Sequence, residues 1–191
     1  MLRTASLTLI LVCLAGASAQ TSVWSGVKPL FAPPRLDAAH LSDVQRAALE
    51  RLMRASPELG GWQCDPSEMD QLLKKAQVQD IAVSAQGQTV LIEAPSGCAR
   101  GGQGANGAMW IAEFNGSHPR WLATPKGEFN GWLFSIQPQM SHGYHDIVLG
   151  WHMSAFEAGL DYFRFDGAQY RSLGGAMLTT DESGNRVIKP K

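Results

Sequence analysis

The chain has 191 residues, 45% of them hydrophobic and 17% charged, with 16 basic side chains against 17 acidic ones and a formal net charge of −1. Such a length and apolar share suit one domain with a core of its own. The near-neutral balance argues against a nucleic-acid partner or an anionic membrane surface.

The N-terminus reads as an export signal. Arg3 supplies a basic start, residues 7–15 (LTLILVCLA) form a short apolar run, and Ala17-Ser18-Ala19 is a small-residue cleavage site. The run lacks the roughly 20 apolar residues that a membrane span needs. No later stretch is apolar enough to cross a bilayer. Residues 1–19 are therefore expected to leave, with Arg3 and Cys13, and to place the mature chain in the periplasm or outside the cell. Cys64 and Cys98 remain, and an even pair in an exported chain predicts a disulfide. The loop it would close corresponds to about 3–4 kcal/mol of stabilisation in the chain-entropy account.

Residues 20–40 hold Pro29, Pro33 and Pro34 and little apolar periodicity, so they read as an arm or linker that Trp24 and Phe31 could pin to the domain. Residues 41–191 form the single domain. Two helices open it. Ser42 with Gln45 is a capping box, and Leu41, Val44, Ala48, Leu52 and Ala55 lie near one helical stripe that Pro57 ends. Asp65 as N-cap, Pro66 at the first helical position and Glu68 start a second helix with Met69, Leu72, Leu73 and Ala76 inward.

From Asp80 onward short strand-like runs follow, broken by glycine and proline. They cover residues 81–83, 89–92, 109–114, 120–123, 132–136, 146–151, 160–165, 170–173 and 186–188. With no helices between them they predict an antiparallel meander of about six to eight strands, so the fold class is α+β with the helices first. One frame occurs twice, FNGSHPRWL at 114–122 and FDGAQYRSL at 165–173. Asn-Gly and Asp-Gly suit the two central positions of a type I′ turn, and Tyr170 can face Phe165 across the strands. The repeat thus predicts two similar hairpins, hence scaffold. Asn115-Gly116-Ser117 also matches a glycosylation sequon but is more simply the turn.

Four features bear on chemistry. The stretch SHGYHDIVLGWH at 141–152 carries His142, His145, Asp146 and His152; His142, His145 and Asp146 on a loop could hold a metal ion, although the spacing matches no strong zinc motif. Asp146, Glu157, Asp161 and Asp166 could supply paired carboxylates, but Asp146 and Asp161 read as solvent-facing strand positions and Asp166 as a turn residue. The glycine-rich residues 97–107 lack the Lys-Ser/Thr and helix of a phosphate loop, so they read as a binding loop held at one end by Cys98. Ser154 lies outside any nucleophile motif. Trp110, Trp121 and Trp132 are expected in the core, whereas Trp62 and Trp151 flank loops. No cofactor fingerprint is present.

The residues Gly97-Cys98, Trp110, Gly143-Tyr144-His145-Asp146-Ile147-Val148, Ser154-Ala155 and Tyr162-Phe163-Arg164-Phe165-Asp166-Gly167-Ala168-Gln169-Tyr170 resemble a group of small exported bacterial proteins with no assigned activity. The resemblance implies a secreted β-rich domain and nothing catalytic. It also implies that Cys98 pairs with Cys64, because the second loop cysteine common in that group is missing here. Periplasmic lysozyme inhibitors share the same general plan by analogy.

The leading expectation is a secreted or periplasmic, non-enzymatic binding or inhibitor-like module for an envelope protein or small ligand. Its working surface would combine residues 97–107 with residues 143–152, using Arg100, Asn106, His142, Tyr144, His145, Asp146 and His152. The alternatives are a metal-dependent hydrolase built on His142, His145 and Asp146, and a structural envelope protein.

Overall fold

The computed structural model describes residues 23–28, 34–61, 64–94, 100–101, 106–126 and 129–191. The signal segment, Phe31, Trp62, Cys98 and most of the glycine-rich loop lie outside them. The architecture is α+β, with short helices first and an antiparallel sheet after them.

Helix α1 spans Asp43–Arg54 and α3 spans Pro66–Lys75, and both begin with a complete capping box, Ser42 with Gln45 and Asp65 with Glu68. Between them lies α2, Pro57–Gly61. Pro57 thus ends one helix and opens the next, since a first-turn proline has no amide to lose. The inward face of α1 differs from the expected stripe. Ala48, Leu49 and Met53 are buried, and Val44 is 63% exposed. Leu49 and Met53 carry more apolar surface than Ala48 or Ala55, at roughly 1.5–3 kcal/mol for each large side chain buried, so the helix turns them inward.

The strands are β1 (Gln77–Asp80), β2 (Gln88–Glu93), β3 (Arg100–Gly101), β4 (Asn106–Asn115), β5 (His118–Ala123), β6 (Asn130–Ser141), β7 (Tyr144–His152), β8 (Ala158–Phe165), β9 (Tyr170–Thr180) and β10 (Arg186–Pro190). Eight of them follow one antiparallel path, β1-β2-β4-β6-β7-β8-β9-β10, while β3 and β5 pair onto β4. The first strand precedes the expected 81–83 segment: Ile81 and Val83 are buried beside the ladder, not in it. Burial of those two side chains, rather than ladder pairing, accounts for their apolar character. Residues 37–39 cover the outer edge of β1, with Ala38 bridging to Gln79.

Two apolar clusters, one on each face, explain why β4 is buried at every position from Ala108 to Phe114. On one face of β2 and β4, Val90, Ile92, Trp110 and Ala112 pack under Leu49, Met53, Leu59 and Leu72 of the helices. On the other face, Leu91, Met109 and Ile111 join Leu133, Ile147, Leu149, Phe163 and Phe165, so both halves of the sheet share one inner core. The outer face of β6–β9 is covered by Trp24 and Val27 over Phe134, Val148, Leu160, Tyr162 and Leu178. A two-faced sheet of this kind shows runs rather than alternation.

The repeated frame forms two hairpins, β4–β5 and β8–β9, but neither has the expected type I′ turn. In the first, Asn115 pairs with His118, so the central residues are Gly116-Ser117, and only Gly116 has positive φ, +61°. That is the type II′ preference, glycine at the first central position. In the second, Phe165 pairs with Tyr170 and four residues lie between. Asp166 Oδ1 accepts from the amides of Ala168 and Gln169, an Asx-type closure that leaves the positive φ to Gly167. The two-residue loop with positive φ at both positions is His142-Gly143, at +52° and +83°, between Ser141 and Tyr144. Histidine is among the few non-glycine residues enriched in that region.

Candidate functional site

Residues 143–152 are not a loop; all but Gly143 belong to β7. The anticipated contact residues therefore separate. His142, Tyr144, His145 and Asp146 lie at one end of a nine-residue strand, His152 at the other, about 27 Å away. Asn106 joins His152: the His152 amide donates to Asn106 Oδ1 at 2.8 Å, and Asn106 Nδ2 donates to the His152 carbonyl at 3.3 Å. Thus the end of the glycine-rich segment meets the far end of β7. Arg100 has its backbone in β3, paired with Gly107.

At the turn end, polar side chains are saturated by one another. Asp146 is fully buried, against the solvent-facing position expected of it. Arg164 donates to it from Nε at 3.0 Å and from Nη2 at 2.8 Å, and the Tyr162 hydroxyl donates at 2.9 Å. A second group repeats the pattern: Arg120 donates to Glu113 at 3.0 and 2.8 Å, and the Tyr144 hydroxyl donates to Glu113 at 2.7 Å. Arg120 also donates to the Tyr144 oxygen at 2.8 Å. The carboxylate hydrogen bonds raise the pKa of both arginines. Burial, followed by the bond to Asp146, pushes the Tyr162 phenol up to about 12. Burial also raises Tyr144 and Tyr170. Each group is a closed carboxylate–arginine–tyrosine unit that suits scaffold.

The proposed ligand set His142, His145 and Asp146 does not converge. His142 is committed to the turn, and its imidazole faces the Gly167 turn. Neighbouring strand residues 145 and 146 leave opposite faces. The Nδ1 of His145 lies 2.8 Å from the Gln137 carbonyl. Among the described residues no group of three or more His, Cys, Asp or Glu could hold a metal ion. The anticipated carboxylate pair fails similarly, since Asp146 shares a strand face with Val148 of the outer cluster and Asp161 shares one with Phe163 of the inner core.

The opposite end of the sheet is built differently. A cleft of about 390 Å³ is lined by Asn130, Trp151, Asp161, Gly175 and Lys191. Its floor crosses adjacent strands, with Trp151 opposite Gly159 and Asp161 opposite Gly175. The Trp151 ring lies directly on Gly159, where a Cβ would come within 2.1 Å of it. Behind it, on the other face, Trp132 lies on Gly150 and stacks against His152, with ring centroids 4.5 Å apart. The Lys191 ammonium stands over the Trp151 ring, 5.4 Å from its centroid. Asp161 is 7% exposed at the rim of the inner core, again against the expected solvent position. Trp132, expected in the core, is half-buried.

Chemically the cleft offers a carboxylate, an amide, an ammonium and an indole. It can accept and donate hydrogen bonds and pack an apolar ligand face. Of these residues only Trp151 and Asp161 drew attention in the sequence. The overlooked signal was glycine inside strands at 150, 159 and 175, which marks close approach of another group. Comparison with protein-family models, curated proteins and solved structures finds no match to this chain.

Proposed function

We propose that the protein is a secreted or periplasmic, non-enzymatic binding module that takes a small ligand or the end of an envelope component in the Trp151–Asp161 cleft. The observation that carries this is the cleft itself: polar groups beside an indole seated on a glycine, at the end where Asn106 ties the glycine-rich segment to His152. The turn end, where the carboxylates are engaged internally, supports the scaffold instead. No helix among the described residues is long and apolar enough to cross a membrane. Export by cleavage after residue 19, and kinship with the small exported proteins of the GYHDIV pattern, belong to the same proposal. So does a Cys64–Cys98 bridge, supported by these being the two cysteines beyond the proposed signal segment.

The test is a ¹⁵N spectrum of the mature protein titrated with the low-molecular-weight fraction of an envelope extract. Saturable shifts at the Trp151 indole and the Asn130 side-chain amide are expected. Shifts confined to the His142 turn, or none, would overturn the proposal.

A further inference from the structure

We infer that Asn115 is a site of spontaneous deamidation in the folded protein, the one that the fold leaves reactive among three asparagine–glycine pairs. The inference is independent of the binding role proposed above.

Asparagine precedes glycine at 106–107, 115–116 and 130–131. At such a pair the glycine amide nitrogen gives up its proton and attacks the asparagine side-chain carbonyl carbon. The bond from that carbon to the side-chain nitrogen breaks, and ammonia departs. Water then opens the five-membered imide at either carbonyl, leaving aspartate or isoaspartate. Glycine favours the attack because it has no Cβ to crowd the nitrogen and can adopt the backbone angles that ring closure needs. By sequence the three pairs are equivalent. The fold makes them unequal.

Two pairs are held. Both ends of the Asn106 amide are engaged, Oδ1 by the His152 amide at 2.8 Å and Nδ2 by the His152 carbonyl at 3.3 Å. Gly107 is paired with both Arg100 and Gly131, and a Cβ there would come within 2.7 Å of the Ala94 carbonyl oxygen. Asn130 is half-buried and paired with Ala108. The backbone at Gly131 lies so close to Gly150 that a Cβ would fall 2.0 Å from its carbonyl oxygen. In neither pair can the glycine nitrogen swing toward the side chain without breaking the ladder.

Asn115 differs on each count. It is the exposed last residue of β4, and among the described residues no hydrogen bond reaches its side chain. Gly116 opens the two-residue turn, and a Cβ there would meet nothing within 4 Å. Space for ring closure is therefore present. The nearby tie from Gln45 Nε2, at 3.2 Å, holds the Gly116 carbonyl and leaves the attacking nitrogen untouched. A hairpin end also opens locally more readily than the middle of a ladder. The matching turn of the repeated frame is the protected case: Asp166 is a carboxylate, with Oδ1 held by two amides and Oδ2 by Arg171.

The product bears on the scaffold. Isoaspartate adds one carbon to the main chain at the turn, so residue 115 no longer faces His118 in register. Two positions along, Glu113 faces Arg120, and both are bonded to Tyr144. Loosening of the turn thus reaches one of the two closed networks.

The experiment incubates the folded protein in warm, mildly alkaline buffer beside a sample unfolded in urea. Peptides are mapped by mass spectrometry, with aspartate and isoaspartate separated chromatographically. In urea the three asparagines are expected to convert at similar rates. In the folded protein Asn115 is expected to convert at least about tenfold faster than Asn106 and Asn130, which require the ladder to open. The isoaspartate form is expected to melt below the parent, whereas Asn115→Asp, with the charge but not the added carbon, should melt with it. Two results would overturn the site: Asn115 intact in the folded protein over the time its urea counterpart converts, or equal conversion at all three positions in the folded sample. An isoaspartate form as stable as the parent would overturn its link to the Glu113–Arg120 network.

Discussion

The two ends of β7 place similar residue types in opposite circumstances. At the Tyr144 end, Asp146 and Glu113 are held by Arg164, Tyr162, Arg120 and Tyr144 in two internal networks. At the His152 end, Trp132 and Trp151 rest on glycines, beside a cleft that Asn130, Asp161 and Lys191 line. A concentration of His, Asp, Tyr and Arg thus marks the more structural end, whereas strand glycines and half-buried tryptophans mark the end with the cleft. Polar side chains in a buried sheet must find partners, and when they find them within the fold they add rigidity, not reactivity.

The contrast can be broken most severely at Asp146. Arg164→Leu leaves a buried carboxylate without its counter-charge and is expected to lower unfolding stability by about 3 kcal/mol. Chemical denaturation measures it, and a loss under 1 kcal/mol would mean that Asp146 is not held as described. Gly159→Ala comes next. A methyl group 2.1 Å from the Trp151 ring must displace it, at about 1–3 kcal/mol. Here the cleft should change more than the rest of the molecule, seen as amide shifts concentrated around residues 151, 161 and 175.

The turn separates scaffold from site in the opposite sense. His142→Asn keeps a residue suited to positive φ, so stability should stay within about 0.5 kcal/mol of the parent, and ligand binding should be unaffected. A fall in binding would return His142 to the functional surface.

The smaller effects depend on pH. Backbone amides of Gln169 and Ala168, with Arg171, hold Asp166 down at about 2, from an ordinary 3.8. The folded state therefore favours the ionised form, and the contribution is present above 3.8 and lost as pH falls through about 2. Tyr162 behaves in the reverse direction. Its pKa is raised from 10.0 to about 12, so its contribution is full below pH 10 and declines as pH rises through 12. Phenolate absorbance should show one tyrosine titrating near 12 while the protein remains folded. Its titration near 10 would contradict the closed Asp146 unit.

Much of the fold was legible because local signals were strong. Both capping boxes start helices where their side-chain spacing indicates, and the apolar runs after residue 88 locate the strands, although β6 and β9 run on to Ser141 and Thr180, well past the expected 136 and 173. Turn types were less legible. Asn115 and Asp166 stand beside glycines that suit a type I′ turn, yet pairing in the neighbouring strands sets the loop lengths at two and four residues and displaces both from the expected positions. Side-chain direction at Asp146 and Asp161 was misjudged because alternation fails in a sheet covered on both faces. The cleft assembles residues from Asn130 to Lys191 through strand order, and one-dimensional spacing does not show that order.

The central claim is that ligand recognition lies at Trp151 and not at the His142 turn. Its most direct test is one titration comparison of the parent, Trp151→Ala and His142→Asn, each verified as folded, against the envelope fraction that shifts the Trp151 indole. Binding weakened at least about tenfold in Trp151→Ala and unchanged in His142→Asn is the expected result. Equal binding by Trp151→Ala and the parent, or loss in His142→Asn alone, would contradict it.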